Sequence, residues 1–401
     1  MKRVLILSLL TSSLLVASGY RIPEQSVKSM ATSGAYIANA NGADSAYFNP
    51  ANMAFNENKS FVEGALTYIG LSTIKYKDNR VATFNSESES ETFFIPTLFY
   101  SSKDYQGVRY GFSLTVPGGL TRRWESPFAK TFAQEFALEI IELNPAISYK
   151  VNNQFALGAG ARVIYSNGIV KSDGSGIGKP AVRDMEGDTI EYGYNVALAY
   201  KPLNNLNISA TYRSNIDLNE EGNAKLYLSG TKLYDGGASV EVPLPAVGAL
   251  AIAYNFGATT LEAVYDITYW SEYKNLDFEY KSAVPIALKA AFDDPKTKDW
   301  EDSQAIRLGI THQLNSKITL MGGFAIDENP VPSSRVSFEL PDADAKLYSA
   351  GINYKYSEDI EFGASFLYDQ KDDRSIKNDE IDGEFTDASA TLVTFGASYK
   401  Y

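Results

Sequence analysis

The sequence contains no cysteine and only one histidine among its 401 residues. Without cysteine, disulfide bonds, thiolate nucleophiles and zinc–thiolate centres are excluded. The histidine, His312, continues an apolar alternation with Ile306, Leu308 and Ile310, and we therefore interpret it as a residue at a membrane interface rather than a general base. Because an activated nucleophile usually needs such a base, we expect no enzyme, no cofactor and no metal site.

Long apolar runs and an excess of positive charge are also missing. Residues 1–17 begin with Lys2 and Arg3, continue through an apolar run and reach small residues, which predicts a secretory signal peptide. No later stretch approaches the roughly 20 apolar residues of a membrane-spanning helix. The net charge of −13 argues against nucleic acid as a partner, because nucleic-acid binding requires a basic surface. An exported chain without such a helix enters a membrane only as a β-barrel.

The acidic residues lie mainly in long connections between predicted strands, for example at Glu87, Asp293 and Asp372. We interpret these connections as solvated loops. The alternative is that divalent cations bridge the carboxylates to one another or to lipopolysaccharide.

Most of the remaining sequence alternates apolar and polar residues with a period of two, which predicts strands with one apolar and one polar face. In residues 188–201 the apolar face contains Ile190, Tyr192, Tyr194, Val196, Leu198 and Tyr200. In residues 206–218 it contains Leu206, Ile208, Ala210, Tyr212, Ile216 and Leu218. A tyrosine-rich chain built almost wholly of such segments predicts an all-β, transmembrane antiparallel β-barrel of about 14 strands over residues 59–401.

The connections between the predicted strands alternate between short and long. The long ones span residues 73–91, 118–142, 171–187, 219–239, 273–302, 328–344 and 370–386. Short periplasmic turns and long extracellular loops are the rule in barrels of the Gram-negative outer membrane. We expect the protein to reside there as a monomer, in contact with outer-membrane lipid and lipopolysaccharide. The last strand alternates up to Tyr401 and resembles the terminal signal that the barrel assembly machinery reads.

Residues 18–58 precede the first predicted strand and do not alternate. They contain small residues and turn formers, as in Ser33-Gly34-Ala35 and Asn49-Pro50-Ala51. A segment without a lipid-facing period cannot span the bilayer, and the empty lumen of a barrel of about 14 strands is wide enough to leak solutes. We therefore predict that residues 18–58 form a hatch inside the barrel.

Several motifs occur in an order and at spacings that are similar to those of one known family. They are Ser18-Gly19-Tyr20, Asn49-Pro50-Ala51, Leu143-Asn144-Pro145-Ala146, Tyr212-Arg213-Ser214, Tyr269-Trp270-Ser271, Ala325-Ile326-Asp327-Glu328-Asn329-Pro330 and Leu340-Pro341-Asp342. In these motifs the chain resembles the FadL-type transporters of long-chain fatty acids and other hydrophobic compounds, including TodX-like members associated with aromatic hydrocarbons. The resemblance implies a passive uptake channel with an N-terminal hatch, a capture groove near the extracellular loops, an apolar pocket in the lumen and lateral release into the bilayer.

The resemblance also suggests ligand-binding residues. It implies that Tyr20 and Ile22 lie beside the inner pocket, whereas Asn49-Pro50 is a tight turn, a ligand contact or both. The predicted connection 118–142 supplies the candidate capture surface, which consists of Leu120, Trp124, Phe128, Phe132, Phe136 and Ile140. The spacing of four residues from Phe128 to Ile140 predicts one face of a helix. This face either forms the capture groove or packs the helix on its own barrel.

The strand that follows Gly158-Ala159-Gly160 departs from the fatty-acid members of the family, which carry basic residues there. This chain has Ser166, Asn167, Gly168 and Ile169 in that position, and Lys171 is the next cation. A carboxylate in an apolar pocket needs a paired charge or strong donors, and Arg162 and Lys171 are the candidates. We therefore predict that uncharged hydrophobic molecules bind at least as well as fatty acids. A general water-filled diffusion porin is the competing interpretation.

Overall fold

The computed structural model describes residues 19–401, so the predicted signal peptide lies outside the described residues. The wall of the protein is a closed antiparallel barrel of 14 strands. The strands are β1 (Phe61–Leu71), β2 (Glu91–Ser101), β3 (Val108–Arg123), β4 (Glu135–Lys150), β5 (Phe155–Asp173), β6 (Ala181–Leu203), β7 (Leu206–Arg213 and Ile216–Leu228), β8 (Thr231–Leu244 and Val247–Asn255), β9 (Thr259–Thr268), β10 (Ser303–Gln313), β11 (Ile318–Asp327), β12 (Ala345–Lys355), β13 (Ile360–Lys371) and β14 (Ser389–Lys400). The predicted barrel architecture is confirmed.

The first and last strands close the barrel. β1 pairs with β2 on one side, and on the other it pairs with β14 from Phe61–Lys400 to Leu71–Ala390. Beyond these pairs, the backbones of Ser60 and Tyr401 exchange two hydrogen bonds of 2.9 Å. Closure matters because an open sheet edge in lipid would leave backbone groups without partners.

The apolar faces of the lower wall point outward. On β6, Ile190, Tyr192 and Tyr194 are exposed at 57%, 70% and 54%, whereas the alternate residues Asn195 and Ala197 are buried. A band of exposed apolar side chains is the surface that acyl chains cover in an outer-membrane barrel. Within residues 19–401, no helix is long and apolar enough to cross a membrane.

Two of the long connections predicted from the sequence, 171–187 and 219–239, are wrong. Most residues of both ranges belong to wall strands. β5 and β6 extend into residues 171–187, and in residues 219–239 only the turn Ser229-Gly230 separates β7 from β8. Their outer faces carry exposed polar residues such as Glu186 and Glu221, so no apolar alternation marks them as strands.

The other connections contain short elements. The helices are α1 (Val27–Ala31), α2 (Ser45–Phe48), α3 (Pro127–Ala133) and α4 (Ile286–Phe292). The short strands are Lys75–Asp78, Ser86–Glu87, Asn275–Leu276, Phe278–Tyr280, Lys296–Thr297, Arg374–Lys377 and Asp382–Thr386.

Breaks in β3, β7 and β8 reverse which face of each strand points inward. Ser214-Asn215 and Pro245-Ala246 interrupt β7 and β8 at the same level, and Val116-Pro117 forms a bulge in β3. Because side chains alternate with a period of two, one extra residue sends the following side chains to the opposite face. Ile216 and Leu218 are accordingly buried inside the barrel. The common apolar face predicted for residues 206–218 is therefore wrong beyond the break.

Residues 19–58 contact strands on opposite sides of the barrel. α1 packs against β11, β12, β13 and β14, whereas a 3₁₀ helix, Pro50–Phe55, packs against β3, β4, β5 and β6. Glycines permit the closest approaches. A Cβ atom on Gly158 would lie 2.4 Å from the Ala51 nitrogen, and one on Gly323 would lie 2.2 Å from the Thr32 carbonyl carbon. The N-terminal segment is thus fitted tightly to the inner wall.

Candidate ligand cavities and wall opening

A large apolar cavity lies in the lumen near the long connections, and we call it the loop-side cavity. It has an empty volume of about 830 Å³ and is lined mainly by aliphatic and aromatic side chains. They include Leu120, Phe136, Leu138, Val242 and Phe278. The breaks in β3 and β8 contribute to this lining, because they turn Leu120, Val240 and Val242 inward. A ligand gains about 25 cal/mol for each Å² of apolar surface that it buries there.

The N-terminal residues 19–22 separate the loop-side cavity from a second one, which we call the mid-barrel cavity. Tyr20 lines the first and Ile22 the second. This segment runs along the β3 bulge, where the Gly119 N–H donates to the Tyr20 carbonyl and the Ile22 N–H to the Pro117 carbonyl, both at 2.8 Å. Tyr20 packs edge-on against Trp270 at 4.7 Å. Burial raises the pKa of Tyr20 well above its ordinary value, so its phenol is uncharged.

The mid-barrel cavity has an empty volume of about 730 Å³ and a mixed lining, in which charged side chains lie among apolar ones. Arg162 donates to Glu142 at 2.9 Å, and Arg213 contacts the same carboxylate. Arg162 also donates to the Ser214 carbonyl at 2.6 Å, which stabilises the break in β7. Arg162 therefore lies in a paired cluster below the apolar cavity rather than in it.

A second ionic cluster joins the N-terminal segment to the wall. Arg307 of β10 contacts Asp266 at 2.7 Å, Asp327 at 2.8 Å and Glu24 at 3.3 Å. Arg21 contacts the other Asp266 oxygen at 2.6 Å. Because Glu24 and Arg21 belong to the N-terminal segment, these pairs hold that segment against β9, β10 and β11.

The wall contains an unpaired section between β2 and β3. These strands pair only from Leu98–Leu114 to Ser101–Gly111, although β2 continues to pair with β1. Gln25 occupies the section: its Nε2 donates to the Val116 carbonyl at 2.8 Å, and its Oε1 accepts from the Val116 N–H at 2.9 Å. The Thr97 hydroxyl of β2 donates to the Gln25 carbonyl at 3.0 Å. One residue of the N-terminal segment thus bridges strands that do not pair directly.

A protein-family model described as Outer membrane protein transport protein (OMPP1/FadL/TodX) matches residues 8–401. The chain belongs to this family. The long-chain fatty acid transport protein of Escherichia coli O6:H1 is 24% identical, over 88% of this chain and 87% of that relative. The family member described here is accordingly a β-barrel of the Gram-negative outer membrane.

Two crystal structures show the same fold. A FadL homologue from Pseudomonas aeruginosa matches with a TM-score of 0.84 at 19% identity, over 95% of this chain and 99% of that chain. The toluene transporter TodX from Pseudomonas putida matches with a TM-score of 0.72 at 16% identity, over 95% of this chain and 99% of that chain.

In this family member the Asn49-Pro50 motif shapes the N-terminal segment. The Asn49 Oδ1 accepts from the Ala51 N–H at 3.1 Å, and its Nδ2 donates to the Ile37 carbonyl at 3.2 Å. Pro50 begins the 3₁₀ helix, where a missing N–H costs nothing. Ser148 of β4 donates to the Ala51 carbonyl at 3.3 Å. Neither motif residue lines the two cavities described above, so the geometry favours a turn over a ligand contact.

The predicted helical face from Phe128 to Ile140 is wrong in its second half. α3 ends at Ala133 and β4 begins at Glu135, so Phe136 and Ile140 belong to a strand. They still share a face, because positions four apart lie on the same side of a strand as well as on neighbouring turns of a helix. That face points into the lumen, and Phe136 lines the loop-side cavity.

The remaining candidate capture residues belong to an aromatic cluster in the loops. Phe128 is 5% exposed and stacks on Phe84 at 4.2 Å between ring centroids, and Phe132 stacks on Phe338 at 5.6 Å. Trp124 is fully buried, and its Nε1 donates to the Phe338 carbonyl at 2.8 Å. Of the two alternatives, the geometry favours a helix packed on its own barrel over an open groove.

The two candidate cations, Arg162 and Lys171, do not converge. Their positions on β5 differ by an odd number of residues, so they lie on opposite faces of the strand. Lys171 contacts Glu135 at 2.8 Å. Sequence reasoning also missed Gln25 and Glu220. Gln25 carries no local signal of its role, and Glu220 was assigned to a solvated connection although it lines the loop-side cavity.

Proposed function

We propose that this chain is a passive outer-membrane uptake channel for hydrophobic small molecules, among them long-chain fatty acids, alkanes and aromatic hydrocarbons. The observation that carries the proposal is the apolar loop-side cavity beside an unpaired section of the wall. The names of its relatives support it, because one is a long-chain fatty acid transport protein and another is a toluene transporter. Transport without catalysis accords with these relatives.

The exit route follows from the polarity of the lumen. A hydrocarbon that leaves the loop-side cavity towards the periplasm meets the Arg162–Glu142 and Arg307–Asp266 clusters and then water. Each CH₂ group that returns to water costs about 0.8 kcal/mol. Leaving sideways between β2 and β3 keeps the hydrocarbon in apolar surroundings, provided that Gln25 releases Val116. We therefore assign lateral release into the bilayer to this section.

The N-terminal residues 18–58 act as the hatch in this proposal. Their contacts with strands on opposite sides of the barrel support a closed lumen and disfavour the competing diffusion porin. Since Arg21 and Glu24 are fixed to the wall, release needs the Gln25 side chain to leave Val116, rather than expulsion of the whole segment.

The paired state of Arg162 and Lys171 supports uncharged ligands. A fatty-acid carboxylate would have to displace Glu142 or Glu135, or enter the apolar cavity without a partner. Burying the carboxylate in the apolar cavity without a partner costs several kcal/mol. This cost is comparable with the gain from burying a handful of methylene groups. Alkanes and alkylbenzenes therefore bind at least as well as fatty acids of matched length in this proposal.

A variant in which a larger side chain fills the loop-side cavity tests the proposal. Leu138 of β4 faces the loop-side cavity, whereas Leu143 of the same strand is exposed on the outer face. Leu138→Trp should lower the uptake of radiolabelled dodecane into proteoliposomes severalfold, and Leu143→Trp should leave it unchanged. Heat-modifiable mobility on gels checks that both variants fold. Equal uptake by wild type and Leu138→Trp, or a large steady ion conductance of the wild type, would contradict the proposal.

A further inference from the structure

Glu220 is a buried carboxyl group in the lining of an otherwise largely apolar cavity. Its side chain lines the loop-side cavity, and the residue is 3% exposed. Within residues 19–401, neither of its carboxyl oxygens has a hydrogen-bond partner of ordinary geometry, and it takes part in no ion pair. A buried group of this kind is costly unless something satisfies it.

Three other buried carboxylates of the lumen have close partners. Glu142 contacts two arginines, and Asp266 contacts two others. Glu262 accepts hydrogen bonds from the backbone N–H groups of residues 37, 38 and 39. These three acids thus have cationic or backbone N–H partners, whereas the described residues give Glu220 neither, and only the Ser166 hydroxyl lies beside it.

The surroundings of Glu220 leave room for a ligand and provide no cation. Gly168, Gly187 and Gly222 line the cavity together with Glu220, and a Cβ atom on Gly168 would lie 3.8 Å from the Glu220 carboxyl carbon. The nearby charged groups are carboxylates, Asp188 and Glu191. The neighbouring hydroxyl of Ser166 is buried and also lacks a partner of ordinary geometry.

The cations that line the same cavity are already paired. Lys298 contacts Glu339, and Arg335 contacts Asp299 at 3.1 Å. Neither is therefore a free counterion for Glu220. The site therefore needs a hydrogen-bond donor, and a ligand can supply it.

We propose that Glu220 and Ser166 form a polar subsite in the loop-side cavity that accepts the hydrogen-bond donor of a hydrophobic ligand, which is a hydroxyl or a protonated amine. The inference rests on the proposed uptake function and narrows its substrate class. The ligand's apolar part lies against Phe136, Leu138 and Val242, and its donor reaches Glu220. The same carboxyl group disfavours a fatty-acid carboxylate by like-charge repulsion.

A matched pair of variants tests this subsite. Glu220→Gln removes the charge and keeps the shape, and Glu221→Gln makes the same change at the next residue, which is exposed on the outer face. The full chain in lipid nanodiscs is titrated with dodecylamine, dodecanol, dodecane and dodecanoate against bound N-phenylnaphthylamine. Empty nanodiscs correct for partition into lipid, and heat-modifiable mobility confirms folding.

We expect Glu220→Gln to weaken the binding of dodecylamine about tenfold and to strengthen the binding of dodecanoate. The binding of dodecane should change little. Glu221→Gln should behave as wild type. Equal effects of the two variants on dodecylamine, or wild-type binding in which all four ligands compete equally, would overturn the subsite and leave the uptake function intact. Failure of every ligand to displace the probe would instead contradict the proposed function itself.

Discussion

Replacing Gln25 with alanine should loosen the wall between β2 and β3. The substitution removes the Nε2 donor to the Val116 and Ile22 carbonyls and the Oε1 acceptor for the Val116 N–H, with distances of 2.8, 2.9 and 2.9 Å. Val116 lies in the β3 bulge and has no strand partner of its own. Its N–H and carbonyl therefore lose the partners that closed this section.

The size of the effect follows from the lost hydrogen bonds. A buried polar group left without a partner costs about 1–3 kcal/mol, and two such groups on Val116 give roughly 3 kcal/mol once water reaches part of the new space. This cost falls on the closed state only, because in the open state Val116 is already separated from Gln25. The population of the open state should then rise roughly 100-fold.

Hydrogen exchange of the Val116 amide measures this opening directly, since exchange follows the local opening free energy. In lipid nanodiscs, Gln25→Ala should lower the protection of the peptide that contains Val116 by up to about 100-fold, while peptides of β10 and β11 keep theirs. Gln154→Ala, on an exposed turn, is the control. Unchanged protection at Val116 in Gln25→Ala would refute the role of Gln25 as the residue that closes the wall.

Two further perturbations test other parts of the structure. Arg307→Met leaves three buried carboxylates without their shared cation, so the stability of the folded barrel should fall by about 3–5 kcal/mol, measured by the shift of heat-modifiable mobility with urea. Lys346 forms an exposed ion pair with Asp372 at 2.8 Å, so Lys346→Met should cost less than about 1 kcal/mol, and an equal loss in both variants would contradict the anchoring role. Tyr401→Asp should lower the yield of heat-modifiable protein in the outer membrane if the terminal aromatic carries the assembly signal; normal yield would remove that interpretation.

The lipid-facing part of the barrel was predictable because one physical requirement acts on it. Every second residue must be apolar where the wall meets acyl chains, and Ile190, Tyr192 and Tyr194 meet this requirement. Above that band the outer face meets water, so the alternation weakens although the strands continue. The predicted connections 171–187 and 219–239 were wrong for this reason, and the hydrogen-bonded pairs that extend β5 to β8 depend on neighbouring strands rather than on local sequence.

The candidate site was predictable only in part. Tyr20, Leu120 and Phe136 do line the loop-side cavity, but the reasoning for Phe136 assumed a helix where a strand occurs. A spacing of four residues fits both the helical period of 3.6 and the strand period of two, so this spacing alone does not distinguish a helix from a strand. Gln25 acts through contacts with residues about 70 and 90 positions away in the chain, and no local pattern reveals such contacts.

The reversal of strand faces explains why the cavity and the wall opening occur together. In β3 the apolar residues keep even numbers on both sides of the bulge, with Tyr110 exposed outside and Leu120 buried inside. Leu120 thus keeps the even numbering of the outward apolar residues, yet the extra residue at Val116-Pro117 turns its side chain from lipid to lumen. The pairing of β3 with β2 ends at Leu114, just before the bulge, and Gln25 closes the section that follows. In β3 the bulge therefore turns Leu120 into the apolar cavity and lies in the section of the wall that β2 leaves unpaired, so a ligand beside Leu120 lies next to the proposed exit.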